Sequence, residues 1–334
     1  GGIRRLNEAK GEMAKWREHP RLSFRLGPHA PYTCGEDYLK YVKEQAEELG
    51  IGLNIHLAES KKEFDDMMAA RGCTPVEYLN QLGYLVVAED HMGHGQSING
   101  EGIQGYFHGG WFSAVKDTYQ LLTDTKKEYP DVPYILFGHS MGSFMARTIL
   151  CDYPDSGIAA AVICGTAWQP TFALPALIKV IDGICKKDGE EKPNEKLQGM
   201  VFGSYNSKIE HPRTPFDWLS RDKQIVDFYI EHPLCGFTAS AGLLREMMKG
   251  IYHIQKKENL AKMKKDLPVF FIAGGDDPVG SYGKGIHKCV EQFKKAGITD
   301  VSVRVYPLCR HEILNEINKE EIFEDVGQWI EKVL

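Results

Sequence analysis

Short apolar runs separated by longer amphipathic stretches set the pattern of this chain. Residues 132–137, Val-Pro-Tyr-Ile-Leu-Phe, predict a buried strand, and residues 158–164 and 267–273 read the same way. Residues 301–306 alternate apolar and polar positions, the period of a strand. Phe144, Met145, Thr148 and Ile149 recur at helical spacing directly after the first run. A longer helical insertion follows, in which Leu174, Leu177, Ile178, Ile181 and Ile184 form one apolar stripe. Residues 189–194 break that stripe, and Phe216, Trp218, Phe228, Tyr229 and Phe237 then add aromatic bulk. We read residues 168–262 as a helical cap, with most of these apolar positions serving as core contacts to the main domain. Nearer the N-terminus, residues 35–49 and 61–82 read as helices with charged faces, able to cover a sheet.

Composition changes this picture little. At 334 residues the chain is long enough to bury a large core and carry a cap. The net charge of -6 comes from interspersed acids and bases, so the lysine-rich residues 256–265 read as a solvated helix face, and no nucleic-acid partner is expected. No apolar run is long enough to span a membrane, and no signal-peptide pattern opens the chain. The eight cysteines are scattered without a C-x-x-C pair, and Cys164 sits inside an apolar strand. That usage suits free thiols in a reducing cytoplasm, the expected location. The sequence sets no oligomeric state.

The candidate chemistry starts at Gly138-His139-Ser140-Met141-Gly142, where a serine between two glycines falls between a predicted strand and a predicted helix. A sharp strand-to-helix turn lifts such a hydroxyl off the sheet, and the helix N-terminus favours a developing anion. Both flanking glycines are expected to be required, because side chains there would collide with strand and helix. Two further groups sit at predicted strand ends. The run 267–273 leads into Gly274-Gly275-Asp276-Asp277-Pro278, and the strand 301–306 leads into Pro307-Leu308-Cys309-Arg310-His311-Glu312. An acid and a histidine thus join Ser140 at the edge of an open parallel sheet where sites form, in the order Ser, Asp, His.

These motifs, with residues 83–97 (Gly-Tyr-Leu-Val-Val-Ala-Glu-Asp-His-Met-Gly-His-Gly-Gln-Ser), carry a resemblance. Residues 84–334 resemble a lysophospholipase or monoacylglycerol-lipase-like α/β-hydrolase of the serine-hydrolase superfamily. The resemblance implies a mostly parallel sheet with helices on both faces under a helical cap. It implies a catalytic triad of Ser140, Asp277 and His311, Asp277 being chosen over Asp276 because it stands immediately before Pro278. The implied activity is cleavage of carboxylic esters, with a small-molecule ester or lipid as substrate and no cofactor. His91 and His94 belong to the turn after the strand 84–88 in that resemblance and lack the further ligands of a metal site.

Residues 1–83 follow another pattern. Arg21 to Thr33 and residues 53–59 resemble two consecutive strand ends of an amidohydrolase barrel, of the methylthioadenosine/S-adenosylhomocysteine deaminase group, and the match extends through residues 72–79. The chain therefore reads as a chimera in which an amidohydrolase fragment replaces the hydrolase's first strands. By resemblance His56 is a relic metal ligand, and His29 and Glu59 are relic substrate contacts. The group's paired His-x-His, its later histidine and its metal-binding aspartate have no counterpart in this sequence. A catalytic zinc needs about three protein ligands, so no metal is expected.

The fusion bears on the oxyanion hole, which needs two backbone donors. Met141, after the nucleophile, supplies one; the loop that normally supplies the other is replaced by residues 54–60, so Ala58 or Leu57 is the candidate second donor. Two rivals to ester hydrolysis stay open: a metal-dependent deaminase of adenosine derivatives and a catalytically inactive chimera. The G-x-G-x-x-G match at residues 100–105 opens no βαβ unit, and Gly283-Lys284-Gly285 lacks the spacing of a phosphate loop, so neither implies a nucleotide.

Overall fold

A computed structural model of the chain describes residues 36–49, 87–98 and 103–334, together with Lys10. The chain divides into two compact units, residues 1–88 with 323–328 and residues 89–322 with 329–334. In the first, helix α1 (Glu36–Leu49) forms where the charged, amphipathic stretch predicts it, with Leu39 and Val42 buried on one face. The expected helix 61–82 and residues 84–86 of the expected strand lie outside the described residues. Val87 and Ala88 are described and are not in a strand. No described strand pairs with them, and an extended segment without a ladder partner is not a strand.

Among the described residues, the second unit is built on four parallel strands in the order β1 (Ile135–His139), β2 (Ala160–Cys164), β3 (Val269–Gly274) and β4 (Val301–Tyr306). The register sets Ile135 beside Ala160, Ala161 beside Val269, and Val269 beside Val301. Every residue of β2 and β3 is buried, as in parallel strands covered on both faces, which explains their unbroken apolar runs. β4 lies at the end of the order, and its burial does not alternate: only Arg304 is exposed and only Tyr306 fully buried. Prolines explain why β1 and β3 start later than their apolar runs. Pro133 and Pro268 have no N–H for the ladder, although the carbonyl of Pro268 accepts from the Ala161 N–H at 3.0 Å.

Helices α2 (Trp111–Glu128) and α3 (Met141–Asp152) precede and follow β1. After β2 come α4 (Leu174–Asp188), α5 (Glu195–Phe202), α6 (Lys223–Glu231), α7 (Ala241–Ile254) and the single turn α8 (Lys257–Leu260). α9 (Lys284–Lys295) and α10 (Lys319–Val333) follow β3 and β4. α3 packs on β1 and β2, and α9 on β3 and β4. Phe271 of β3 meets Phe293 of α9 edge-on at 4.9 Å, and burying one such side chain contributes about 1.5–3 kcal/mol.

Most of the segment 168–262 is bound to this core. Leu174 and Ile181 of the α4 stripe are buried, and Leu177, Ile178 and Ile184 pack against the core. α7 lies against α2, α3 and α4. Gly250 makes that approach possible, because a Cβ there would stand 2.3 Å from the ring of Trp111. The lysine-rich stretch is helical only over α8, where Asn259 and Leu260 are buried while Lys257, Lys262, Lys264 and Lys265 are exposed. Residues between α5 and α7 are tied less to the sheet and more to the loops at its C-terminal edge.

Candidate active site

β1 runs straight into α3, and the corner residue is Ser140, with φ 53° and ψ -119°. Its N–H donates to the carbonyl of Cys164 on β2 at 3.0 Å, and its own carbonyl accepts from the Ser143 N–H at 2.9 Å. The backbone is thereby held in a region that L-residues rarely occupy, with the side chain partly exposed at the sheet edge. Gly138 is required as expected: a Cβ there would stand 2.4 Å from the carbonyl oxygen of Gly142 and 2.8 Å from Ala146 Cβ. The expectation for Gly142 is corrected. A Cβ built on it meets nothing within 4 Å among the described residues, whereas the helix after the corner crowds Gly138.

The three residues singled out in the sequence come together. Ser140 Oγ lies 2.8 Å from His311 Nε2. On the far side of the ring, His311 Nδ1 lies 3.1 Å from Asp277 Oδ2 in a bent contact, outside the angular range of a well-formed hydrogen bond. The other Asp277 oxygen accepts the Val279 N–H at 2.8 Å. Asp277 is fully buried, whereas its neighbour Asp276 is exposed. Burial pulls the His311 pKa down, but the Asp277 carboxylate beside it outweighs that and holds it above the ordinary value.

His139, the variable residue of the motif, is a neighbour that sequence pattern did not single out. Its ring packs 4.8 Å from that of His311, and its Nε2 lies 3.2 Å from the His311 carbonyl oxygen. Burial, reinforced by the charge of His311, pushes the His139 pKa down to about 4, which keeps it neutral near pH 7. Gly165, at φ +58°, leaves room for both rings; a Cβ there would stand 3.1 Å from His311 Cε1. The Trp218 ring lies 5.3 Å from that of His311, and the Trp218 carbonyl accepts the His311 N–H at 3.3 Å. Phe202 and Tyr205 pack against Trp218, so these three aromatic rings gather beside the histidine, whereas Phe216 packs on Tyr229, Phe228 on His232 and Phe237 on His94.

Met141 is the first residue of α3, and its N–H is one of those that have no intrahelical acceptor, as an oxyanion donor requires. Ala58 and Leu57, with His29, His56 and Glu59, lie outside the described residues. His91 contacts Glu89 at 3.0 Å, and His94 packs between Phe107 and Phe237 with Nδ1 3.0 Å from the Met92 carbonyl oxygen. Among the described residues no group of three or more His, Cys, Asp and Glu side chains could hold a metal ion. Gly105 forms a turn at φ +74° with its N–H on the Gly93 carbonyl, so the glycine-rich match around it opens no helix.

A family model described as serine aminopeptidase, S33, matches residues 68–318, and one described as amidohydrolase family matches residues 3–100. The 5-methylthioadenosine/S-adenosylhomocysteine deaminase of Syntrophomonas wolfei is 38% identical over 100 residues, 29% of this chain and 23% of that protein. Its counterpart in Moorella thermoacetica is 52% identical over 65 residues, 20% of this chain and 15% of that protein. The chain thus spans less than a quarter of the length of these curated relatives. Among solved structures, a thermostable carboxyl esterase from Bacillus coagulans in complex with glycerol superposes with a TM-score of 0.70 at 26% identity, covering 92% of this chain and 89% of that one. A soluble variant of monoglyceride lipase from Saccharomyces cerevisiae superposes with a TM-score of 0.56 at 19% identity, covering 73% and 76% of the two chains, and shares the fold.

Proposed function

The chain belongs to the hydrolase family described as serine aminopeptidase, S33, and from that premise we propose that it cleaves carboxylic esters with Ser140, His311 and Asp277. The observation that carries the reading is the line from Ser140 Oγ to His311 Nε2 at 2.8 Å and from His311 Nδ1 to the buried Asp277 at 3.1 Å. His311 takes the Ser140 proton as Oγ bonds to the ester carbonyl carbon, and the Met141 N–H faces the resulting oxyanion. His311 then gives that proton to the departing alcohol, leaving an acyl-serine. Water, deprotonated by the same imidazole, releases the acid and restores the serine. Asp277 holds the ring and stabilises its charged form throughout.

Among ester hydrolases, the Bacillus coagulans carboxyl esterase supports the choice of esters over peptides. We assign monoacylglycerols or lysophospholipids as the substrate class, from the motif resemblance and from the aromatic cluster of Phe202, Tyr205 and Trp218 beside His311, which suits an apolar acyl group. The cap over the site is assigned to residues 168–262, with residues 203–222 its part beside the histidine. The main domain is assigned to residues 84–334 and the amidohydrolase-like fragment to residues 1–83. The described cysteines are free thiols, which supports a reducing compartment such as the cytoplasm. No described helix is long and apolar enough to cross a membrane.

The test is a fluorophosphonate, which reacts with an activated serine, followed by peptide mapping and circular dichroism on the same sample. We expect an adduct on Ser140, none in Ser140→Ala, and turnover of short p-nitrophenyl esters and monoacylglycerols. A folded protein without the adduct would make the chain an inactive chimera. Bound zinc together with deamination of adenosine derivatives would favour the remaining reading.

A further inference from the structure

Glu316 is fully buried as a side chain, yet it takes no part in the triad. Removing a carboxylate from water is costly unless donors surround it, and this one has four. Its Oε1 accepts the Arg310 N–H at 2.8 Å and the Arg221 N–H at 3.1 Å. Its Oε2 accepts Arg221 Nε at 2.8 Å and the Ile317 N–H at 3.2 Å. Arg221 belongs to the loop before α6, whereas Arg310 directly precedes His311.

The same two segments are joined at every step. The His311 N–H donates to Trp218 O and the Glu312 N–H to Leu219 O, the latter at 2.7 Å. Arg310 Nη1 reaches back to the carbonyls of Asp217 at 2.7 Å and Ser220 at 3.0 Å, and Ser220 Oγ donates to Asn315 O at 3.0 Å. Arg221 Nη2 donates to Asn318 Oδ1 at 2.5 Å. The histidine loop itself has no regular structure between Tyr306 and Ile313, and Leu308 sits in it at φ +66°. The Asp276 N–H after β3 also donates to Cys309 O at 2.9 Å, so the loop's course is set by this clasp together with the turn after β3 rather than by a ladder or a helix.

We infer that Glu316 is a positioning residue for the hydrolytic site: paired with Arg221, it latches the cap loop 217–221 to the histidine loop and so holds His311 between Ser140 and Asp277. The inference rests on the ester-hydrolase reading for its kinetic consequence but not for its geometric one. The charged and titratable groups facing the His311 ring are Asp277 after β3, His139 of β1 and Glu312 of its own loop.

The test follows His311 by NMR of protein with labelled histidine, assigned with His311→Ala, in Glu316→Gln and Arg221→Met. The amide of Glu316→Gln can turn its oxygen to Arg310 only by setting its NH₂ against Arg221, so one side of the latch opens. The two variants remove opposite charges. A through-space effect would lower the His311 pKa in Glu316→Gln and raise it in Arg221→Met, whereas a loosened contact with Asp277 lowers it in both. We expect the fall in both, with kcat for a short ester down about tenfold to a hundredfold and KM within about twofold, the cost of misplacing a reacting group by a fraction of an ångström to an ångström. A rise or no change in folded Arg221→Met overturns the inference. Arg221 is partly exposed, so its variant decides the matter even where Glu316→Gln does not fold. Failure of wild-type protein to label at Ser140 would remove the ester reading instead, and the histidine titration would still report on the latch.

Discussion

Replacing Ser140 with glycine is expected to make the protein more stable than replacing it with alanine, the reverse of the usual order. At φ 53° and ψ -119° the backbone is the mirror image of an extended conformation, which glycine adopts readily and a residue with a Cβ does not. Such strained positions cost about 1–3 kcal/mol. Glycine returns about 0.4–1 kcal/mol of this through the greater freedom of its unfolded chain. Both variants lose the same Ser140 Oγ contact to His311, so that loss cancels and a net advantage of about 1.3 kcal/mol at mid-range, and at most about 2.6 kcal/mol, remains for Ser140→Gly. The second unit has about 240 residues. At about 2 cal/mol/K per residue its unfolding entropy is about 0.5 kcal/mol/K, so the melting midpoint should differ by about 2–4 °C. Urea and thermal melts of the two variants, followed by circular dichroism, measure it directly. If Ser140→Gly proves equal to or weaker than Ser140→Ala, the corner is unstrained and the account of how the hydroxyl is raised fails.

The flanking glycines should separate: Gly138→Ala drives a Cβ to 2.4 Å from Gly142 O and should abolish labelling of Ser140, whereas Gly142→Ala meets no atom within 4 Å and should fold normally, both checked by expression and melting. Turnover should be lost as pH falls through the His311 pKa, because the base must be neutral, and the loss should centre above the ordinary value of 6.5 because Asp277 favours the charged ring. In Asp277→Asn burial is opposed only by the charge of Glu312, the weakest of the influences on His311, so the acid limb of kcat/KM should move to lower pH while kcat falls by roughly 10⁴-fold. A pH profile unchanged by Asp277→Asn would exclude Asp277 as the partner of the histidine.

Much of this arrangement is a property of the sequence itself. The runs that became β2 and β3 are legible because a parallel strand covered on both faces needs apolar residues throughout, and β4 is legible from the strand period of its sequence. The elbow is legible because its demands fall on neighbouring residues, and Ser140, Asp277 and His311 stand out because each follows such a strand. Pattern misses what depends on packing between distant segments. Gly138 and Gly142 look equivalent in the motif, but only Gly138 faces another part of the corner. Asp276 and Asp277 are adjacent, and their separation comes from the turn that exposes one and buries the other against His311. His139 and Glu316 carry no periodic signal. Their partners lie 172 and 95 residues away, at His311 and Arg221, so their roles exist only once the chain has brought those segments together. Local periodicity and turn chemistry determined the elements and the order of Ser140, Asp277 and His311; the positions of these side chains to a fraction of an ångström were decided by long-range contacts that no short stretch encodes.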